Sequence, residues 1–324
     1  MPNKKKRRAA PFRLTLPATS ANLGPAFDAA ALAMDLYIRV EARPAANFTI
    51  HATGRDQEIC GTVQNDHLIL ATYREICETE GRETIPLSLR IRNEIPIGKG
   101  CGSSAAARLA GIAMANHFAH LGWSDARIIG EASRREHHPD NASACWMGGL
   151  TVARMSGAAE AQFVEAEFVE AQFVEAQVVC IRPKGKWPLL LAIPDQALAT
   201  EEARRVLPAQ YSRADAVANI QNSMLMLAAF MQGRYDLLSA ALEDRIHQPY
   251  RAPLCPLLPC LQKITAKEGV LGVALSGAGP SVIVFLDPRQ PAQKARKAVA
   301  THLSRSGLQA ELLLTSIASR AGRR

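Results

Sequence analysis

The run Pro96 to Ala106, PIGKGCGSSAA, places three glycines and two serines where a strand pattern gives way to a helix pattern. Before it, from Pro86 to Ile91, apolar Leu87, Leu89 and Ile91 alternate with Ser88 and Arg90, the period of a half-buried strand. After it, AAARLAGIAMANHFAHLG predicts a long helix ending near Gly122. Such a junction can grip an anion: small residues let the backbone come close, the first helical amides are free donors, and the helix dipole favours negative charge there. Lys99 adds positive charge. The same residues also suit an ordinary helix entry, with Ser103 or Ser104 as N-cap and the glycines supplying a turn. The rest of the chain has to decide between these readings.

At 324 residues, with 48% hydrophobic and 21% charged side chains, the chain has ordinary globular composition and room for two domains. Its net charge of +8 suggests nucleic acid until the charge is located. Lys4, Lys5, Lys6, Arg7, Arg8 and Arg13 lie at one end and Arg320, Arg323 and Arg324 at the other, so the remainder is close to neutral. Solvated basic tails are expected at 1–11 and 319–324. No aromatic residues interleave with the first, and no nucleic-acid partner is expected. No apolar run is long enough to span a bilayer, and no membrane partner is expected either. The seven cysteines are scattered without a C-x-x-C pair, which suits the reducing cytoplasm. Cys255 and Cys260 flank a Pro-rich turn without a matching zinc-like pair, and read as small buried hydrophobes.

Strands are expected at Phe12–Leu16, Leu36–Ala42 and Phe48–Ala52, and a helix capped by Asp66 follows, with Ile69, Tyr73 and Ile76 on one face. A second helix begins at Ser124, and EHHPDN, Glu136 to Asn141, forms a polar turn. Residues 162 to 176 repeat QFVEA, EFVEA, QFVEA, a period that suits neither helix nor strand and points to an expanded surface hairpin. The composition breaks at RPKGKWP, Arg182 to Pro188, dividing the chain into 12–184 and 185–318. Beyond it come a strand at Leu189–Ile193 and helices at Thr200–Leu207, Ala214–Met231 and Tyr235–Arg245. Strands at Val270–Ser276 and Val282–Leu286, a helix from Pro291 and a strand near Glu311–Thr315 close the chain. Mixed elements without regular alternation indicate an α+β class.

Four further groups exceed what structure alone asks for. Asn22 and Asp28 flank a Gly-Pro turn, where both residue types also serve as turn formers. Glu136, His138 and Asp140 crowd into EHHPDN, where a carboxylate can hold a divalent metal and His a substrate oxygen, or all three can sit in a solvated loop. Thr200 and Arg204 in TEEARRVLP, with Arg251 in HQPYRAPL, supply two planar forks able to converge on one carboxylate, or to pair singly on the surface. GVALSGAGPSVIVF brings the amides of Ser276 to Gly279 into a tight turn, near a ligand or simply within a hairpin.

Taken together, these segments resemble the GHMP small-molecule kinases. PIGKGCGSSAA matches their P-x-G-x-G-x-G-S-S-A-A phosphate loop, and LSGAGPSV matches their C-terminal motif. PATSANLGPAFD, EHHPDN, TEEARRVLP, RADAVANIQN and DRIHQPYRAPL, in that order, are similar to the homoserine-kinase branch, and the likeness runs from Leu14 to Ser316. It implies a two-domain α+β fold, ribosomal-protein-S5-like then ferredoxin-like, and transfer of the ATP γ-phosphate to L-homoserine. Pro96, Ile97, Gly98, Lys99, Gly100, Cys101, Gly102, Ser103, Ser104, Ala105 and Ala106 would bind ATP, with Ser104 and Glu136 holding Mg²⁺. Asp28 would take the substrate ammonium, Arg204 and Arg251 its carboxylate and Asn22 its hydroxyl, with His138 and Thr200 assisting; no carboxylate base is implied. A cytoplasmic homodimer is the expected form. The chain departs from the branch at Ala26 and His137, where Gly is usual, at Cys101, where Leu is common, and at His67, where Asn often precedes Leu. Strain of about 1 kcal/mol or more is expected wherever Ala26 or His137 must adopt positive φ.

Overall fold

The computed structural model describes residues 11–62, 67–156, 175–264, 268–318 and 322–323. The first half comprises β1 (Phe12–Ala21), β2 (Ala30–Pro44), β3 (Thr49–Gly54), α1 (Gln57–Gly61), α2 (Leu68–Thr79), β4 (Leu87–Asn93), α3 (Ser103–Phe118), α4 (Asp125–Glu136), α5 (Asp140–Met147), β5 (Leu150–Ser156) and β6 (Glu175–Ile181). The second comprises β7 (Pro188–Ile193), α6 (Thr200–Arg205), α7 (Arg213–Gln232), α8 (Leu238–Ala241), α9 (Gln248–Arg251), α10 (Leu257–Leu261), β8 (Val270–Leu275), β9 (Val282–Leu286), α11 (Ala292–Arg305), β10 (Glu311–Ser316) and β11 (Gly322–Arg323).

Two sheets organise these elements. In the first, the order is β11-β1-β2-β4-β3, with β5 paired to the early part of β2 and β6 paired to β5. Its pairs are antiparallel except β3 with β4, and Leu14 faces Val40 as Leu16 faces Ile38. The second sheet runs β10-β7-β9-β8, antiparallel throughout. The apolar runs of β7 and β9 are continuous because this sheet is covered on both faces. Leu189 and Leu191 join the main core with Trp187, Phe230 and Phe285, while Leu190 and Ala192 join a second cluster under α10 and α11. The chain passes from one sheet to the other over residues 182–187.

Several local expectations meet a different outcome. Helix α3 stops at Phe118, and its N-cap is Gly102 in the left-handed region, not Ser103 or Ser104. Helix α4 does start behind Ser124, whose Oγ accepts from the Arg127 amide at 3.3 Å. EHHPDN is a junction: Glu136 ends α4 and Asp140 opens α5, so the segment is no solvated loop. The helix expected over Tyr235–Arg245 reduces to a 3₁₀ turn and α8. The 319–324 tail contains β11, which pairs with β1 through Leu14↔Arg323 and Thr15↔Gly322. Asp66 and most of the FVEA repeat, residues 162–174, lie outside the described residues, though β5 and β6 on either side pair antiparallel. Ala26 keeps negative φ, whereas His137 sits at φ 66° as the C-cap of α4.

The two halves close on each other at the Gly-rich loop. A Cβ on Gly100 would lie 2.6 Å from the Gly279 carbonyl oxygen and closer still to that of Ser276, and Gly100 has φ +76°. Gly100→Ala should therefore lower unfolding free energy in urea by at least about 2 kcal/mol, combining left-handed strain with overpacking. His137→Gly should raise it by about 1 kcal/mol, since the same left-handed strain is relieved.

Candidate active site

A cleft of about 480 Å³ opens between the halves. One part is the cradle at the entry to α3. Gly98, Gly100 and Gly102 all have positive φ, which turns the backbone sharply. Among the described residues, none of the amides from Gly98 to Gly102 donates to a protein acceptor, and the first helical amides of α3 lack intrahelical partners as well. The carbonyls of the loop are held instead: Gly100 accepts from Ser276 Oγ at 2.8 Å and Cys101 from the Thr19 amide at 3.0 Å. Cys101 is fully buried, and burial raises its thiol to about 12, so it is a packing residue. Pro96, Lys99 and Ala105 do not line the cleft. The Lys99 ammonium donates to the Asp195 carbonyl, a bond that ties the loop to the other half.

At the mouth of the cradle, Ser104 Oγ donates to Glu136 Oε1 at 2.7 Å, and Arg108 Nε donates to the same oxygen at 2.6 Å. The second carboxylate oxygen of Glu136 is left for a ligand. Two oxygen donors beside a phosphate cradle suit a hard cation that keeps most of its water.

The other part of the cleft carries opposite charges. Asn22, at φ 70°, donates Nδ2–H to the Gly277 carbonyl at 2.8 Å and accepts from the Asp28 amide at 3.0 Å. One N–H and one lone pair of this amide remain. Asp28 is gripped by both terminal nitrogens of Arg204, at 2.7 and 3.0 Å. The two arginines thus do not converge on a shared carboxylate here: Arg204 pairs with Asp28, while Arg251 donates Nε–H to the Ala203 carbonyl at 2.9 Å and approaches His247 Nδ1 at 3.2 Å. Arg251 is only 1% exposed. Burial, reinforced by the charge of Arg204, lowers its pKa to about 10. A guanidinium desolvated this far without its own carboxylate favours an anionic ligand. Phe27 lies under both guanidinium groups, 5.4 Å from Arg204 and 5.2 Å from Arg251.

His138 Nδ1 lies 2.5 Å from Asp140 Oδ1, both buried. Burial alone would lower His138, but the Asp140 carboxylate outweighs it and raises the imidazole to about 9. Asp140 also accepts from the Asn141 amide, and Asn141 Oδ1 accepts from Thr19 Oγ1 at 2.6 Å. Ligand atoms of Asp28, His138 and Asp140 lie within 4.8 Å of one another. Asp140 holds His138 and Arg204 holds Asp28, so the trio forms a charge network.

Asn22, Asp28, Ser104, Glu136, His138, Thr200, Arg204 and Arg251 all line this one cleft, as do Gly277 to Gly279 and His67. Asn141 and the pairing of His138 with Asp140 were not singled out from sequence; their signal was the crowding of EHHPDN, which ambiguity between turn and site concealed.

The GHMP kinases N terminal domain family matches residues 67–149 and the GHMP kinases C terminal family residues 226–305. A homoserine kinase of Solibacter usitatus is 42% identical over 277 residues, covering 85% of each chain. This chain belongs to the homoserine kinase family of GHMP kinases. A Deinococcus radiodurans homoserine kinase is 32% identical over 94% of each chain. The homoserine kinase structure from Cytophaga hutchinsonii shares the fold with TM-score 0.77 at 21% identity, covering all of both chains. The structure "Crystal structure of L. major mevalonate kinase in complex with R-mevalonate" does so with TM-score 0.67 at 13% identity, covering 98% of this chain and 99% of that one. The two-domain GHMP kinase architecture expected from sequence is thus the one observed.

The His138 shift is directly measurable. Because its folded pKa, about 9, lies above the ordinary imidazole value of 6.5, the stabilisation it brings is full below pH 6.5 and is lost as pH rises through 9. Stability of the native chain relative to His138→Leu should decline across that window, and an NMR titration of His138 should have its midpoint near 9, not near 6.5.

Proposed function

We propose that the chain transfers the γ-phosphate of ATP to the side-chain hydroxyl of L-homoserine, giving O-phospho-L-homoserine for threonine biosynthesis. The observation that carries the amino-acid half of this reading is the buried, carboxylate-free Arg251 beside the Asp28–Arg204 ion pair, opposite a cradle of free backbone amides. A zwitterion fits there by exchange. Its ammonium takes Asp28 and its carboxylate takes Arg204 and Arg251, so one internal ion pair gives way to two external ones. An uncharged alcohol would leave Arg251 unpaired.

In this reading the amides of the cradle and of the first turn of α3 hold the phosphates, and the apolar side of the cleft at Ile59, Leu68, Ile95 and Ile97 receives the nucleobase. Ser104 and Glu136 hold Mg²⁺. The ion, when bound, neutralises charge building on the phosphate oxygens. The remaining N–H and lone pair of Asn22 orient the attacking hydroxyl, and Thr200, opening α6, and His138 line its approach. No carboxylate base is assigned, because phosphoryl transfer depends mainly on alignment and charge neutralisation.

The reading extends to a division at 12–184 and 185–318, supported by the passage between sheets at 182–187, and to a cytoplasmic homodimer. None of the seven cysteines is in a disulfide, six of them are buried, and among the described residues no helix is long and apolar enough to cross a membrane. Val217, Ile220 and Met224 form an exposed stripe on α7, the surface favoured for a second copy. Sedimentation velocity at micromolar concentration should give a mass near twice 35.0 kDa.

A coupled ATPase assay tests the function: turnover should require L-homoserine and be absent with mevalonate and low with L-threonine. Arg204→Ala should raise the L-homoserine KM at least about tenfold, the worth of a charged hydrogen bond, and leave the ATP KM unchanged. Glu136→Gln should shift the Mg²⁺ titration to higher concentration.

A further inference from the structure

Behind Arg251 lies a buried hydrogen-bond chain to which the proposed chemistry gives no part. His247 precedes Arg251 by one helical turn and is fully buried. Its ring stacks on Phe27 at 5.3 Å with an interplanar angle of 28°. Nε2 lies 2.7 Å from the Gly24 carbonyl oxygen and Nδ1 lies 3.2 Å from Arg251 Nη1. A guanidinium only donates and a carbonyl only accepts, so the two neighbours dictate the ring's state. Nε2 carries the proton and donates to Gly24; the Nδ1 lone pair accepts from Arg251. Burial outweighs the pull of Asp244 and, with the charge of Arg251, pushes His247 down to about 4, keeping this neutral form at working pH.

The two ends of this chain matter. Gly24 belongs to the turn between Asn22 and Asp28, and the Ala203 carbonyl that fixes Arg251 Nε belongs to α6 next to Arg204. The backbone at His247 is itself pinned, since Asp244 Oδ2 accepts from the amides of His247 at 3.0 Å and Gln248 at 2.5 Å. With Nε and Nη1 both held, the plane of the guanidinium is fixed, and three N–H bonds remain for the cleft.

We infer that His247 is a positioning residue for carboxylate recognition: its neutral imidazole locks the Arg251 guanidinium to the turn that carries Asp28, setting the spacing at which both charged ends of an amino acid are met. This rests on the amino-acid reading of the site. Two variants separate the ring's two bonds. His247→Asn keeps an acceptor near the Nδ1 position, whereas His247→Gln keeps a donor near Nε2 and withdraws the acceptor from Arg251.

The experiment measures KM for L-homoserine and ATP, and the inhibition constant of 3-aminopropan-1-ol, which has the hydroxyl and ammonium but no carboxylate. His247→Gln should raise the L-homoserine KM about tenfold with the other two constants within twofold, and His247→Asn should recover most of the loss. An unchanged L-homoserine KM, a parallel rise in all three constants, or no rescue by Asn would overturn the inference. A second measurement needs no variant: in ¹⁵N-labelled native protein the His247 ring should be the Nε2–H tautomer, with an Nδ1 resonance that shifts on adding L-homoserine but not 3-aminopropan-1-ol. The opposite tautomer, or an Nδ1 resonance that ignores L-homoserine, would overturn it. Failure of the native enzyme to turn over L-homoserine would instead overturn the proposed function, and is seen before any variant is compared.

Discussion

Three segments distant in sequence meet backbone to backbone at Gly100, and the site exists because they do. The Gly277 amide donates to the Ala21 carbonyl, Asn22 Nδ2 donates to the Gly277 carbonyl, Ser276 Oγ donates to the Gly100 carbonyl, and the Ser281 amide donates to the Lys99 carbonyl. Each bond satisfies a polar group that burial would otherwise penalise. The arrangement consumes the loop's carbonyls and spares its amides, which is the condition for an anion cradle. It also explains why glycines stand at this contact, since a side chain on Gly100 would meet two carbonyl oxygens.

The same junction ties the cradle to the charged end of the cleft. Asn22, bonded to Gly277, also accepts from the Asp28 amide, so the amide that borders the cradle shares a turn with the carboxylate at the charged end of the cleft. Asp28 and Arg204 pair with each other, while His138 and Asp140 form a second, more deeply buried pair. Arg251 is buried with no carboxylate of its own, and on the proposed reading that imbalance favours an amino acid over an alcohol.

Most strands are legible in the sequence: β4 alternates with Leu87, Leu89 and Ile91 inward, and β9 is a short continuous apolar run, Val282–Leu286. The loop's glycines were legible as a sharp turn into a helix, but whether that turn serves an anion or an ordinary helix entry was not legible from its composition. The short helices were not. Asp140 to Met147 has no amphipathic period to announce α5, and the Pro-rich stretch hides α9 and α10 in four- and five-residue pieces. Among site residues, chemistry was visible but pairing was not. Nothing in the spacing of Asp28, Arg204 and Arg251 says which arginine holds Asp28, and nothing near Lys99 says that its ammonium would donate to the Asp195 backbone carbonyl. His247 was in view within DRIHQPYRAPL, yet only burial and the direction of its two ring nitrogens reveal its bonds.

The most direct measurement of the central claim is a crystal structure with L-homoserine and a non-hydrolysable ATP analogue bound together. The account predicts that the Asp28–Arg204 pair opens, with the substrate ammonium on Asp28, its carboxylate between Arg204 and Arg251, its hydroxyl beside Asn22, and the phosphates against the amides of Gly98 to Ser104. An ion pair left intact, with the amino acid bound elsewhere or its carboxylate away from Arg251, would contradict it.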